Sequence, residues 1–174
     1  MDVHARTETM EERELVGMAR QDDQDAFGKL FLAHYGAIFR LARASLGEGA
    51  EDIASETFVR AWVALPRYRD TGAPFVSWLY GIARHIVVDE VRRRVRVQPH
   101  EDIVTGTFEH PSEDRLTLAA ALDDLPDEQR QILELKFFLG LTNDEVGAAL
   151  GKTPGAVNTQ QWRALQALRK VMSR

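Results

Sequence analysis

Three groups of side chains in this 174-residue sequence have the types and spacing to do chemistry. The first is a run of carboxylates, Glu51, Asp52 and Glu56, which with His34, His85, His100 or His110 could ligate a metal or trade protons. Helical metal sites of that kind pair an E-x-x-H on one face, and none of these histidines has such a glutamate. A Gly-rich phosphate loop and a G-x-S-x-G elbow are missing as well. With no cysteine in the sequence, disulfides and thiolate zinc sites are excluded. These absences point away from an enzyme, and no cofactor or metal is expected.

The second group is Asn158, Thr159, Trp162, Arg163 and Gln166. At 100° per residue they fall on one side of a helix, opposite Val157, Ala164, Leu165, Leu168 and Met172. Amide, hydroxyl and guanidinium groups around an exposed tryptophan suit base edges and phosphates better than they suit a core. The competing reading is a helical hairpin that turns this face to another protein. The third group is basic: Arg84, Arg92, Arg93, Arg94 and Arg96 outnumber Asp89 and Glu90 within residues 84–96. Although the whole chain carries −5, it therefore offers an acidic patch around residues 48–56 and a basic one near 90, as an adaptor between a basic protein and DNA would. Two solvated helix faces are the plainer alternative.

The elements that must position these groups are helical. Thr142-Asn143-Asp144-Glu145 has the form of a capping box, with Leu141 and Val146 placed as a hydrophobic staple. Leu150-Gly151 supplies a left-handed helix end, and Thr153-Pro154 a new N-cap followed by proline at the first helical position. A short helix, a tight turn and a longer helix make a helix-turn-helix whose second helix can enter a major groove. Upstream, apolar residues recur at three- and four-residue steps in Phe27 to Ala42, Ile53 to Trp62 and Phe75 to Ile86, which predicts three main helices broken at residues 46–49 and 66–74.

The organisation that follows is all-α: two small helical domains joined by a flexible acidic linker, the second domain ending in the helix-turn-helix. Residues 1–10 read as a disordered tail, 11–96 as the first domain, 97–113 as the linker and 114–174 as the second domain. The linker has four acids, no Lys or Arg, and two prolines. An apolar content of 44% is enough for real cores. No apolar run is long enough to span a bilayer and the N-terminus lacks an apolar signal core, so no membrane insertion and a cytoplasmic location are expected.

With those residues in view, the sequence resembles the extracytoplasmic-function group of the sigma-seventy family of bacterial RNA polymerase. Asp25-Ala26-Phe27, Ala50-Glu51-Asp52-Ile53, Glu56 to Trp62, Trp78 to Arg84 and Asp89 to Arg94 look like that family's second conserved region. Leu122 to Pro126, Gln129-Arg130, Leu133 to Leu135, Glu145 to Gly147, Leu150-Gly151, Gly155 to Val157 and Arg163 to Leu165 look like its fourth. The resemblance implies an alternative sigma factor that binds polymerase core, directs promoter-specific initiation and answers to an anti-sigma factor. Glu51, Asp52, Glu56, Phe58 and Trp62 would dock on the clamp helices of the largest core subunit, and the fourth region on the flap of the second subunit. Tyr68, Tyr80, Arg84, His85, Arg92 and Arg93 would take the minus-ten element, where strand opening extrudes a base. Phe75 and Trp78 lie on the stripe of Leu79 and Ile82 and read as core. Lys152, Asn158, Thr159, Gln160, Trp162 and Arg163 would meet the minus-thirty-five element.

The sequence departs from the family pattern at Ser55, where Gln is common, and at His85, where Asn is common. It also departs at residues 158–161, where Asn, Thr, Gln and Gln replace the usual Lys and Arg. Phosphate attraction is weaker there, and because Asn or Gln can pair bidentately with adenine, the minus-thirty-five preference is expected to differ from the common one. A helix-turn-helix regulator that works without polymerase is the alternative function, but it leaves the acidic helix at residues 50–64 unexplained.

Overall fold

The computed structural model describes residues 3–97, 121–122 and 124–172. The expected acidic linker, from residue 98 onward, lies outside them. Every regular element among the described residues is helical: α1 Val3–Ala19, α2 Gln24–Leu46, α3 Ala50–Ala64, a 3₁₀ turn Leu65–Arg67, α4 Phe75–Val97, α5 Asp127–Phe137, α6 Asn143–Leu150 and α7 Pro154–Met172.

Residues 3–10, read as a disordered tail, are the first turns of α1. The first ten residues contain no glycine or proline, and Ala5, Arg6, Glu8 and Met10 are good helix formers, so propensity suffices where apolar periodicity is missing. The first domain consequently has four helices instead of three. The extra break, at residues 20–23, is made by Asp22 with φ +70° and by Asp23, whose Oδ1 accepts the Ala26 N–H at 2.9 Å as an N-cap.

Helix α2 is the hub of the first domain, packing against α1, α3 and α4. Leu30, Ile38, Leu65 and Leu79 are fully buried there. In the second domain α7 packs on α5 and α6, and Ile132, Leu135, Val146 and Val157 fill the centre. One continuous apolar cluster includes residues of both domains, from Leu30 and Phe58 to Ile132 and Val157.

The helix-turn-helix forms as its sequence dictates. Thr142 N–H donates to Glu145 Oε2 at 2.8 Å, and Glu145 N–H returns a bond to Thr142 Oγ1 at 3.3 Å. Gly151 ends α6 at φ 66°, ψ 36°, and Thr153 Oγ1 caps α7 by accepting from Ala156 N–H at 3.3 Å. Gly147 is required for another reason: a Cβ there would stand 2.6 Å from the Lys152 carbonyl oxygen. That atom belongs to the backbone and cannot swing aside. Gly147→Ala is accordingly expected to cost about 1–3 kcal/mol, visible as a melting temperature lowered by several degrees; an unchanged melt would mean the turn tolerates a wider path.

Candidate nucleic-acid interface

On α3 the buried face is Ile53, Ala54, Thr57, Phe58 and Ala61. Phe58, expected as a docking residue, is therefore core: its ring packs on Phe31 at 4.8 Å and on Phe27 at 6.4 Å between centroids. Trp62 is partly buried against Phe27, 4.8 Å between centroids. Glu51, Asp52 and Glu56 are exposed as expected, and Glu56 is paired with Arg60. The sequence reading missed Val59 and Val63, 65% and 75% exposed. Asp52, Glu56, Val59 and Val63 follow one another at helical spacing, so acidic and apolar groups share one solvent-facing stripe.

Helix α4 presents a mixed picture. Phe75 is buried and packs with Tyr68 and Trp78, as the core reading of that stripe required. Tyr68 and Tyr80, expected at the DNA surface, are both buried. Tyr68 sits edge-on to Phe75 and Trp78, and its phenol is raised above its ordinary value first by burial and then by Asp70. Tyr80 lies beneath α5 and donates its O–H to Glu134 Oε2 at 2.7 Å. Burial, followed by the Glu134 carboxylate, pushes that phenol far above its usual range.

Beside this pair, Arg84 binds Asp127, which also holds Arg130. Partial burial raises the Asp127 carboxyl, but the bond from Arg130 and the nearness of Arg84 outweigh it, and the group is lowered overall. Arg40 adds a third link between the domains, donating to the Phe138 carbonyl at 3.2 Å.

The basic run beyond is partly neutralised within its own helix. Arg93 clasps Glu90 with two bonds of 2.8 Å, Arg94 adds another, and together they pull the Glu90 carboxyl down to about 2. Arg94 also caps the end of α2, reaching the Leu46 and Glu48 carbonyls at 3.1 and 2.8 Å. His85, Arg92 and Arg93 are exposed, with His85 Nδ1 bonded to the Gly81 carbonyl at 2.7 Å.

On α7 the expected surface is largely present. Asn158, Thr159, Arg163 and Gln166 are exposed, and Trp162 is 63% exposed. Val157 and Ala164 face inward, but Leu165, expected with them, is 40% exposed. Gln160 leans back to α5 and accepts from Gln129 Nε2 at 3.5 Å, while Lys152 Nζ is paired with Glu128 at 2.8 Å. Those two residues, expected at the minus-thirty-five element, thus have partners inside the domain. Gln161, for which sequence reading offered no role, is partly buried. No cluster of metal-binding side chains and no helix long and apolar enough to cross a membrane occur among the described residues.

Comparison with known proteins finds matches to both helical regions. Residues 30–97 match the profile described as Sigma-70 region 2, and residues 121–170 that of Sigma-70, region 4. The ECF RNA polymerase sigma factor SigD of Mycobacterium tuberculosis is 35% identical over 171 residues, covering 89% of this chain and 81% of its own. BldN of Streptomyces coelicolor, another ECF RNA polymerase sigma factor, is 33% identical over 171 residues, covering 91% and 65%. Among solved structures, CnrH in complex with the cytosolic domain of CnrY has a TM-score of 0.70 at 27% identity, covering 94% of this chain and 97% of that one. RpoE of Bartonella quintana, solved with the anti-sigma factor NepR, has a TM-score of 0.60 at 22% identity, covering 84% and 96%, and shares the fold. Two sigma regions in order, on helices that carry the surfaces described above, place this chain in the family of ECF sigma factors of RNA polymerase.

Proposed function

We propose that this sigma factor docks on polymerase core through the exposed stripe of α3, opens the minus-ten element with α4 and the loop before it, and reads the minus-thirty-five element with α7. The observation that carries the reading is the α3 stripe: Asp52, Glu56, Val59 and Val63 are solvent-facing on a helix whose other side is fully committed to the core. An operator-binding regulator has no use for it. Acidic groups beside exposed valines suit a partner with basic and apolar side chains, which the clamp helices of the largest subunit would offer, while region 4 would rest on the flap of the second subunit.

Promoter contact by Tyr80 and Arg84 requires the two regions to part, because α5 holds both. His85, Arg92 and Arg93 are already accessible for backbone phosphates. The exposed α3 stripe also calls for a cover when initiation is not wanted. An anti-sigma protein, as NepR is for RpoE of Bartonella quintana, would supply it, acting in the cytoplasm where polymerase works. Co-purification that yields polymerase subunits alone would count against that control.

The deciding experiment is run-off transcription with core polymerase and this protein on fragments of its own genome. Discrete promoter-specific transcripts are expected; none above core alone would overturn the reading. On such a promoter Asn158→Ala is expected to lose about 1–3 kcal/mol of discrimination at one base pair. Arg163→Ala would weaken all sequences alike and lower the salt slope by about 1. Uniform losses from both substitutions would remove Asn158 as a base reader.

A further inference from the structure

The residues matched to Sigma-70 region 2 begin at 30, so α1 lies before them. Its C-terminal half nevertheless grips the loop that leads into α4. Glu12 is the joint. Its Oε1 accepts from His34 Nε2 at 2.6 Å, and its Oε2 accepts the backbone N–H of Phe75 at 3.4 Å, at the first residue of α4. The His34 ring packs beside the Phe75 ring, 5.9 Å between centroids. One residue on, Arg13 Nε pairs with Asp70 Oδ2 at 3.2 Å. The other oxygen of that carboxylate accepts the Gly72 N–H at 2.8 Å, closing the turn where Gly72 has φ +83°. One helix thus holds the loop at its turn and at its exit, along a cleft of about 590 Å³ lined by both.

We propose that α1 is a strut for the minus-ten loop, residues 68–74, with Glu12 and Arg13 as positioning residues that keep the loop in the shape that takes an extruded base. The proposal rests on the reading of α4 and its loop given above. A short loop containing Gly72, Ala73 and Pro74 has few anchors of its own, and an untethered loop must be ordered at the moment DNA is melted. Glu12 and Arg13 meet that ordering requirement in advance. A carboxylate at the N-terminus of α4 is also favoured by the helix dipole, so the tie is directional. Tyr68, wedged on Phe75 and Trp78, fixes the other end of the loop.

The test uses the full chain, polymerase core and a promoter found by run-off transcription. Hydrogen exchange of the free protein should show amides 69–76 exchanging about tenfold faster in Glu12→Ala, with α2 and α3 unchanged, as loss of a charge-assisted hydrogen bond predicts. Transcription from the duplex promoter should fall about tenfold in Glu12→Ala and about threefold in Arg13→Ala, whose ion pair with Asp70 is exposed, and both losses should shrink to within about twofold when the minus-ten element is supplied unpaired. Arg13→Lys, which keeps a cation near Asp70, should recover most of the Arg13→Ala loss on duplex DNA. Affinity for core should stay within about twofold, since the α3 stripe is untouched.

Equal losses on duplex and unpaired templates would overturn the strut, as would unchanged exchange at 69–76 or a lysine variant as poor as the alanine one. An unaltered protein that yields no promoter-specific transcript would instead overturn the reading of function itself.

Discussion

Replacing Val59 and Val63 together by aspartate is expected to lower affinity for polymerase core by more than about 100-fold while leaving the melting temperature nearly unchanged. Both side chains stand in solvent, so folding draws little from them. Covering two valines in an interface contributes about 1.5–3 kcal/mol each, and an unpaired carboxylate forced into the same contact adds a desolvation cost. Reversing Asp52 and Glu56 to lysine should act differently. Exposed charges chiefly govern encounter, so that variant should associate slowly at low salt and converge on the unaltered protein as salt rises. Binding of fluorescently labelled protein to core, measured at two salt concentrations, separates the cases. Unchanged affinity in the double aspartate variant would remove α3 as the docking helix.

Around α3 apolar side chains occur on nearly every side: Ile53, Ala54, Phe58, Val59, Ala61, Trp62 and Val63. Periodicity reveals a helix in such a pattern but cannot choose between Phe58 and Val59 for the core. The choice is made by the rings α2 brings, Phe27, Phe31 and Tyr35, against which only Phe58 and its neighbours on that face can pack. The helix-turn-helix was legible because its signals are local: a capping box, a left-handed glycine and a threonine cap act within four residues. Contacts that cross the sequence were not. Tyr80 meets Glu134 54 residues away, and Glu12 meets Phe75 63 residues away, and neither separation leaves a trace in composition or spacing. The exposed face of α7 could be read from periodicity, yet Gln160 and Lys152 were drawn to Gln129 and Glu128 by the neighbouring helix.

The contact between Tyr80 and Glu134 yields the other large effect. In Glu134→Ala the phenolic O–H would remain buried without an acceptor, which costs about 1–3 kcal/mol and shifts the equilibrium toward separated domains by roughly 5- to 150-fold. Energy transfer between dyes placed on the two domains should fall, and Tyr80 and Arg84 should become available to DNA carrying an unpaired minus-ten element.

The same pair predicts a pH response. Burial raises the Glu134 carboxyl, outweighing the hydrogen bond from Tyr80 and the attraction of Arg130 and Arg84, while Asp127 adds to the rise. A carboxyl that is raised in the closed arrangement holds its proton more tightly there than in water. Closure is therefore favoured below its ordinary value of 4.5 and is progressively lost as pH rises through the raised value. Asp127, lowered overall, stays ionised across that window and keeps its bond to Arg84. Dye transfer should accordingly increase as pH falls from neutrality toward the ordinary carboxyl value of 4.5 and level off below it, with a slope of at most about 1.4 kcal/mol per pH unit. Glu134→Gln, neutral at every pH, should stay closed with that slope removed. Equal slopes in the two proteins would show that another group governs how the promoter-reading helix is uncovered.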